Sequence, residues 1–248
     1  MESALLELND VSLAYFTETE QTQAIDHLNL SIQKGEFAAI VGPSGCGKTS
    51  VLSLMMGLLS PQSGSVQFDR EHVRIGYMLQ KDHLLEWRTV EKNVMLGLEV
   101  QHRLNEKTKR MALELLETYG LGNFKTYYPQ QLSGGMRQKV ALIRTLALEP
   151  DLLLLDEPFS ALDYQTRLKL SDEVYRIIRE QNKTAVLVTH DISEAAAMAD
   201  RVFVFSRRPS RVKTVLSGGF DPKLSPLERR REPAFMPLYE QIWKEIDQ

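Results

Sequence analysis

The octapeptide GPSGCGKT, Gly42 to Thr49, has the spacing G-x-x-x-x-G-K-[ST] of a phosphate-binding loop. Its residue types explain what such a loop does. Glycines let backbone N–H groups turn inward, so Gly42, Pro43, Ser44, Gly45, Cys46 and Gly47 form a cradle for phosphates, and the helix that follows adds its positive end. Lys48 brings a point charge to the β and γ oxygens, the Thr49 hydroxyl ligates Mg2+, and Ser50 is counted with them among the nucleotide-binding residues. The ligand implied by this chemistry is ATP or GTP.

The run LLLLDE supplies the acids. Asp156 lies at the carboxyl end of an apolar run, where ligands of open α/β sheets bind, and can hold the Mg2+ through a water. Glu157 beside it is placed to orient and deprotonate an attacking water; the plain alternative is a helix-terminal acid ahead of Pro158. His190 ends the run AVLVTH at the same sheet edge as Asp156 and is read as a γ-phosphate contact rather than a structural histidine. A second anion site is written in QLSGGMRQK. Ser133 is a good helix N-cap, and Gly134 and Gly135 leave the first amides of that helix bare.

These residues need a scaffold, and the hydropathy pattern supplies one. FAAIVG (37–42), LLLLD (152–156) and AVLVTH (185–190) are short continuous apolar runs, as expected of parallel strands buried on both faces. The helical stretches KTSVLSLMMGLL, QTRLKLSDEVYRIIREQ and ISEAAAMA follow or separate them, which is an α/β pattern with a parallel sheet. Alternating apolar residues over 5–16, 24–32, 64–68 and 74–79 predict half-buried antiparallel strands. The fold expected is a P-loop NTPase core with a parallel sheet, an N-terminal antiparallel β subdomain and an inserted α-helical subdomain. Within one domain over 1–248, the core takes about 1–88 and 149–220, the helical part about 89–148 and a tail about 221–248. In the tail, Phe235, Tyr239 and Trp243 recur every fourth residue, a helical stripe expected to pack on the domain.

With a net charge of −3 over 248 residues, there is no basic excess to favour nucleic acid as a partner, and RRPSR and ERRRE read as solvated faces. No stretch approaches the roughly 20 apolar residues of a membrane span, and the opening MESALLELND has no basic leader, so a cytosolic location is expected. The single cysteine, Cys46, excludes an internal disulfide and reads as a tolerated small residue rather than a redox switch.

The order of motifs, from the glycine loop through Gln80, LSGGM, LLLLDEP, SALD and VTH, resembles the ATP-binding subunit of ABC transporters across nearly the whole chain, with LSGGM matching that superfamily's signature. The resemblance implies ATP and Mg2+ as ligands and a second copy of the chain as partner. Two subunits pack head to tail, and Ser133, Gly134 and Gly135 of each meet the γ-phosphate held by the other. It implies further that Gln80 contacts magnesium and water in a loop facing the membrane subunits, and that Asp163 of SALD lies in the loop linking the two sites. Tyr15 matches the aromatic that stacks on adenine, with Phe16 beside it as rival. LQKDHLLEWRTVEKNVMLGL, YYPQQLSGGMRQ and DEPFSALDYQTR look like importers of the nitrate, sulfonate and taurine type, a group that includes thiamine-precursor systems. Glu86 departs from the proline that relatives often carry there. A subunit of this kind would sit on the cytoplasmic face of the membrane against integral permease subunits, with an external solute-binding protein delivering the solute. The alternative is a soluble ABC-type ATPase in repair, translation or assembly. In KDHLLEWRTV, Leu84, Leu85 and Trp87 are expected to be an exposed anchor for the permease, with core packing the rival for Leu84.

Overall fold

The computed structural model describes residues 4–16 and 21–247. In chain order the first elements are β1 (Ala4–Phe16), β2 (Gln21–Gln33), β3 (Phe37–Val41), α1 (Lys48–Met55), β4 (Ser63–Phe68), β5 (Ile75–Met78), α2 (Val90–Val100), α3 (Glu106–Thr118) and α4 (Gly134–Leu146). They are followed by β6 (Leu152–Asp156), α5 (Tyr164–Glu180), β7 (Thr184–Val188), α6 (Ile192–Met198), β8 (Arg201–Phe205), β9 (Val212–Leu216), α7 (Pro226–Arg229) and α8 (Phe235–Asp247). The chain forms two compact units, one from Met1–Val73 with Tyr175–Gln248 and the other from Arg74–Val174.

In the first unit β1 pairs antiparallel with β2 on one side and β4 on the other, with Leu8 opposite both Leu30 and Val66. The strand before the glycine loop behaves differently. β3 lies between β7 and β8, parallel to both, with Ile40 opposite Val188 and Phe203. All residues of β3 and β7 are buried, which explains why their sequences read as unbroken apolar runs rather than alternating ones. β9 closes this sheet antiparallel to β8. The sequence reading places no strand beyond His190, so RVFVF and VKTVL are additions.

The second unit carries α2, α3 and α4 between β5 and β6. α2 buries Val90, Val94 and Leu98 at four-residue intervals, and α3 starts at Asn105, whose side chain accepts from the amides of Lys107 and Thr108. One strand corrects the sequence reading. β5 is parallel, running from Ile75 opposite Leu152 to Met78 opposite Leu155, not antiparallel. Alternation reports that one face is more covered than the other and carries no information about direction. Here Gly76 lies against Thr145 of α4 and Pro150, and a Cβ at Gly76 would come within 2.6 Å of the Thr145 methyl.

The tail also differs. α8 buries Phe235, Leu238 and Ile242, while Tyr239 and Trp243 stack on each other at 6.5 Å between centroids, with Trp243 exposed. A strict four-residue spacing rotates about 40° per step around a helix, so the 235, 239, 243 line drifts off the packed face. The tail is fastened through Arg229, which is only 1% exposed. Its guanidinium donates to the carbonyls of Ala197, Met198 and Ala199 at the end of α6 and to the Tyr175 hydroxyl, and it lies over the Tyr175 ring at 4.9 Å. Arg229→Met is expected to cost about 2 kcal/mol, because several donors are lost while Asp200, 3.6 Å from the Arg229 guanidinium, keeps its other partner, Arg179. The measurement is the melting temperature of the purified variant; an unchanged value would show that the contacts contribute nothing.

Candidate nucleotide site

In the first unit, the turn from β3 into α1 depends on two glycines. Gly45 and Gly47 have φ of 72° and 115°, a region that L side chains rarely adopt, and their conformation bends the loop back on itself. Lys48 is buried, and its ammonium donates to the carbonyls of Gly42 at 2.8 Å and Pro43 at 2.9 Å. The positive charge is thus held inside the loop, where a polyphosphate would offer stronger acceptors than neutral carbonyls. Thr49 is exposed at the start of α1, and Ser50 shares a 2.9 Å hydrogen bond with the Tyr15 hydroxyl, which ties that aromatic to the phosphate loop. Phe16 is more exposed than Tyr15, and neither is core. Cys46 is buried and burial pushes its thiol up, which disfavours thiolate chemistry. His190 is exposed just past β7, whose register beside β3 brings the ends of both strands to one edge. Arg208, in the RRPSR run read as a solvated face, donates to the Gly45 carbonyl at 2.7 Å.

The second unit gathers the carboxylates. Asp156 ends β6 with 8% of its surface exposed and accepts a hydrogen bond from the Tyr77 hydroxyl at 2.9 Å. Burial, and then the Asp156 charge, push the Tyr77 phenol far above its ordinary value, so it stays a donor. Glu157 has φ of 46°, unusual for a residue with a side chain and a sign of local strain. The Gln80 amide donates to Glu157 Oε2 at 3.1 Å, and Ser160 Oγ donates to the Glu157 carbonyl at 3.0 Å. β5 and β6 therefore bring Gln80, Asp156 and Glu157 together.

The same unit holds the second anion motif. Ser133 caps α4, accepting from the Met136 amide at 3.3 Å, and is exposed. A Cβ at Gly135 would lie 2.9 Å from the Thr166 methyl and one at Gly134 3.3 Å from Leu162, so both glycines are also needed for close approach to the start of α5. Asp163 caps α5, accepting from the Thr166 amide at 3.1 Å; hydrogen bonds from the Thr166 side chain and backbone hold its carboxyl below the usual range.

The segment after Gln80 is braced by side chains of α2 and α4. Arg137 of α4 grips Asp82 with two nitrogens, at 2.9 and 3.2 Å, and reaches Glu86 at 2.7 Å. Arg144 donates to the carbonyls of Asp82 and His83, and the fully buried Asn93 exchanges hydrogen bonds with the backbone of Leu85 and also donates to Arg88 and Thr89. Burial works against the Asp82 charge, yet the hydrogen bonds from Arg137 and the Leu84 amide outweigh it and hold the carboxyl below its ordinary value. The expected apolar anchor is corrected in part. Leu84 is buried and Leu85 half-buried, whereas Trp87 is 74% exposed. Glu86 serves as an acceptor for Arg137.

A strand, glycine loop and helix with a buried lysine, together with a strand-end Asp-Glu pair and a serine-capped glycine helix, define an ATPase of the P-loop class. The profile described as ABC transporter matches residues 25–160, and the chain belongs to that family. It is similar to Uncharacterized ABC transporter ATP-binding protein YtlC of Bacillus subtilis, at 46% identity covering 98% of this chain and 96% of that protein. It is also similar to the taurine import ATP-binding protein TauB of Pelagibacter ubique, at 38% identity covering 90% and 87%. The dimeric ATP-binding cassette MJ0796, solved in a post-hydrolysis state bound to ADP and Pi, matches with a TM-score of 0.72 at 32% identity, covering 86% of this chain and 98% of that one. The protein is an ATP-hydrolysing, ATP-binding subunit of this family.

Proposed function

We propose that the chain powers import of a small solute through separate permease subunits, working as a head-to-tail dimer on the cytoplasmic face of the membrane. The observation that carries this is Trp87: a large aromatic held in water on a loop that Arg137, Arg144 and Asn93 otherwise fix in place. Such an exposed aromatic on a rigid support is the form of a binding anchor. No helix among the described residues is long and apolar enough to cross a membrane. The similarity to a taurine import protein supports the direction of transport, and a solute-binding protein outside the membrane would supply the solute.

The residues present fit ATP and Mg2+. The loop offers a buried ammonium, and the proposed metal donors, Thr49, Gln80 and Asp156, are oxygen ligands of the hard kind Mg2+ prefers. No group of three or more His, Cys, Asp and Glu that could hold a metal occurs among the described residues, which suits an ion held partly by substrate phosphates rather than by a protein cage. Bound Mg2+ supplies charge neutralisation on the β and γ phosphates. Lys48 shares that work, Tyr15 stacks on adenine, Glu157 takes a proton from water, and Gln80 orients Glu157 through its amide. His190 contacts the γ-phosphate from its place beside the loop. Ser133, with the amides after Gly134 and Gly135, receives the γ-phosphate of the partner subunit.

Trp87→Ala tests the reading. The variant is expected to keep its melting temperature and its ATPase rate in isolation, because the side chain packs on little within the subunit. Recovery of multi-helix membrane proteins with the tagged chain from native membranes should fall, for a loss of about 2 kcal/mol at an anchor residue. A stable variant that recovers those proteins at the parental level would remove Trp87 from the interface.

A further inference from the structure

We infer that the Tyr77 hydroxyl is a positioning group for the Asp156 carboxylate, so that β5 sets both acids of the site: Asp156 through Tyr77 and Glu157 through Gln80. The inference rests on the proposed role of Asp156 as a metal-binding group.

Tyr77 stands opposite Leu154 in the parallel β5–β6 pair, so its side chain leaves the sheet on the face that carries Leu154 and, two residues on, Asp156. An apolar residue would satisfy the packing at this half-buried place. A phenol instead puts a donor 2.9 Å from Oδ2 of a carboxylate that is itself more than nine-tenths buried. A carboxylate can rotate about its terminal torsion, and a fixed donor from a neighbouring strand restrains that freedom. Loss of such an outer partner typically costs roughly 10- to 100-fold in metal affinity or activity. Three residues further along, Gln80 donates to Glu157 at 3.1 Å, so the two adjacent acids each take a hydrogen bond from the same short strand and its immediate extension. β5 is itself seated tightly: Gly76 leaves no room for a side chain against Thr145 of α4. Whatever shifts β5 along β6 therefore changes the orientation of both carboxylates together. Nothing in the phosphate-loop motif or the Asp-Glu pair marks Tyr77 for this work.

The test compares Tyr77→Phe with Asp156→Asn in the full chain. Mn2+ is the probe, its binding in the presence of a non-hydrolysable ATP analogue read from the loss of the free-ion electron paramagnetic resonance signal. Tyr77→Phe is expected to weaken Mn2+ binding by about 10-fold and to raise the Mg2+ concentration for half-maximal hydrolysis in the same direction. Affinity for a fluorescent ATP analogue in EDTA should stay parental, which also certifies the fold. Parental Mn2+ affinity in Tyr77→Phe, with Asp156→Asn impaired, would overturn the inference and leave the role of Asp156 standing. An equal loss of metal-free and metal-dependent binding would overturn it too, as a general defect of the site. Undiminished Mn2+ binding in Asp156→Asn would instead sink the assignment of Asp156 itself.

Discussion

Glu157→Gln binds ATP as the parent does and turns it over at least about 100-fold more slowly, the range expected when a general base is removed. The substitution is selective for physical reasons. Gln keeps the length of the side chain and an oxygen that can still accept from the Gln80 amide, now 3.1 Å from Glu157. It adopts the φ of 46° no less readily than Glu, so the strand end is undisturbed. What is lost is the ability to take a proton from water. With binding intact and the exit step blocked, the ATP-bound dimer accumulates, which size-exclusion chromatography in ATP and Mg2+ reads directly. Hydrolysis at the parental rate would show that another group removes the proton.

The second large effect concerns Ser133 and Lys48 in combination. Lys48→Ala removes the ammonium from the loop, and with it a charge-assisted contact to phosphate, so its homodimer should be nearly inactive and bind ATP poorly. Ser133→Arg puts a bulky cation at the exposed cap of α4 and should leave ATP binding to one subunit close to parental while blocking closure on a partner. A mixed dimer separates these. In the proposed head-to-tail dimer each composite site takes its loop from one chain and its capped helix from the other, so both defects fall in one site and the other stays whole. Mixing two inactive variants is therefore expected to restore up to about half of the activity per mixed dimer if the sites work independently. No recovery in a mixed dimer shown to form would exclude the shared site.

Much of this fold is legible in the sequence because burial on both faces leaves an unmistakable trace. FAAIV, LLLL and AVLV are continuous apolar runs, and each lies in a fully buried strand that leads to a site residue or loop. The phosphate loop is legible for the same kind of reason: glycine spacing before a lysine has few other uses. Direction is not encoded that way, and β5, read as antiparallel from its alternation, is parallel. Nor does hydropathy distinguish Leu84 from Trp87. Their fates are set by the buried Asn93, which holds the turn through the Leu85 backbone, a contact eight residues long that no local pattern announces. Tyr77 was hidden because an aromatic on a strand is ordinarily core, and only the register with β6 shows what its hydroxyl meets. The Arg137 grip on Asp82 and Glu86 was hidden for a related reason: a charge inside a helix motif looks solvated until the chain brings a loop from more than fifty residues away onto it.

That grip bears on how force leaves the protein. A connecting loop is ordinarily compliant, and a push delivered at one end is absorbed by its own bending. Here Arg137 and Arg144 on α4 hold the side chain and carbonyl of Asp82, the His83 carbonyl and Glu86, while Asn93 pins the turn before Trp87. The loop is thereby made a stiff extension of the helix whose first turn carries the signature. If the proposed dimer closes on that first turn, the displacement would reach the indole at the far end with little slack, as movement rather than as loop flexing.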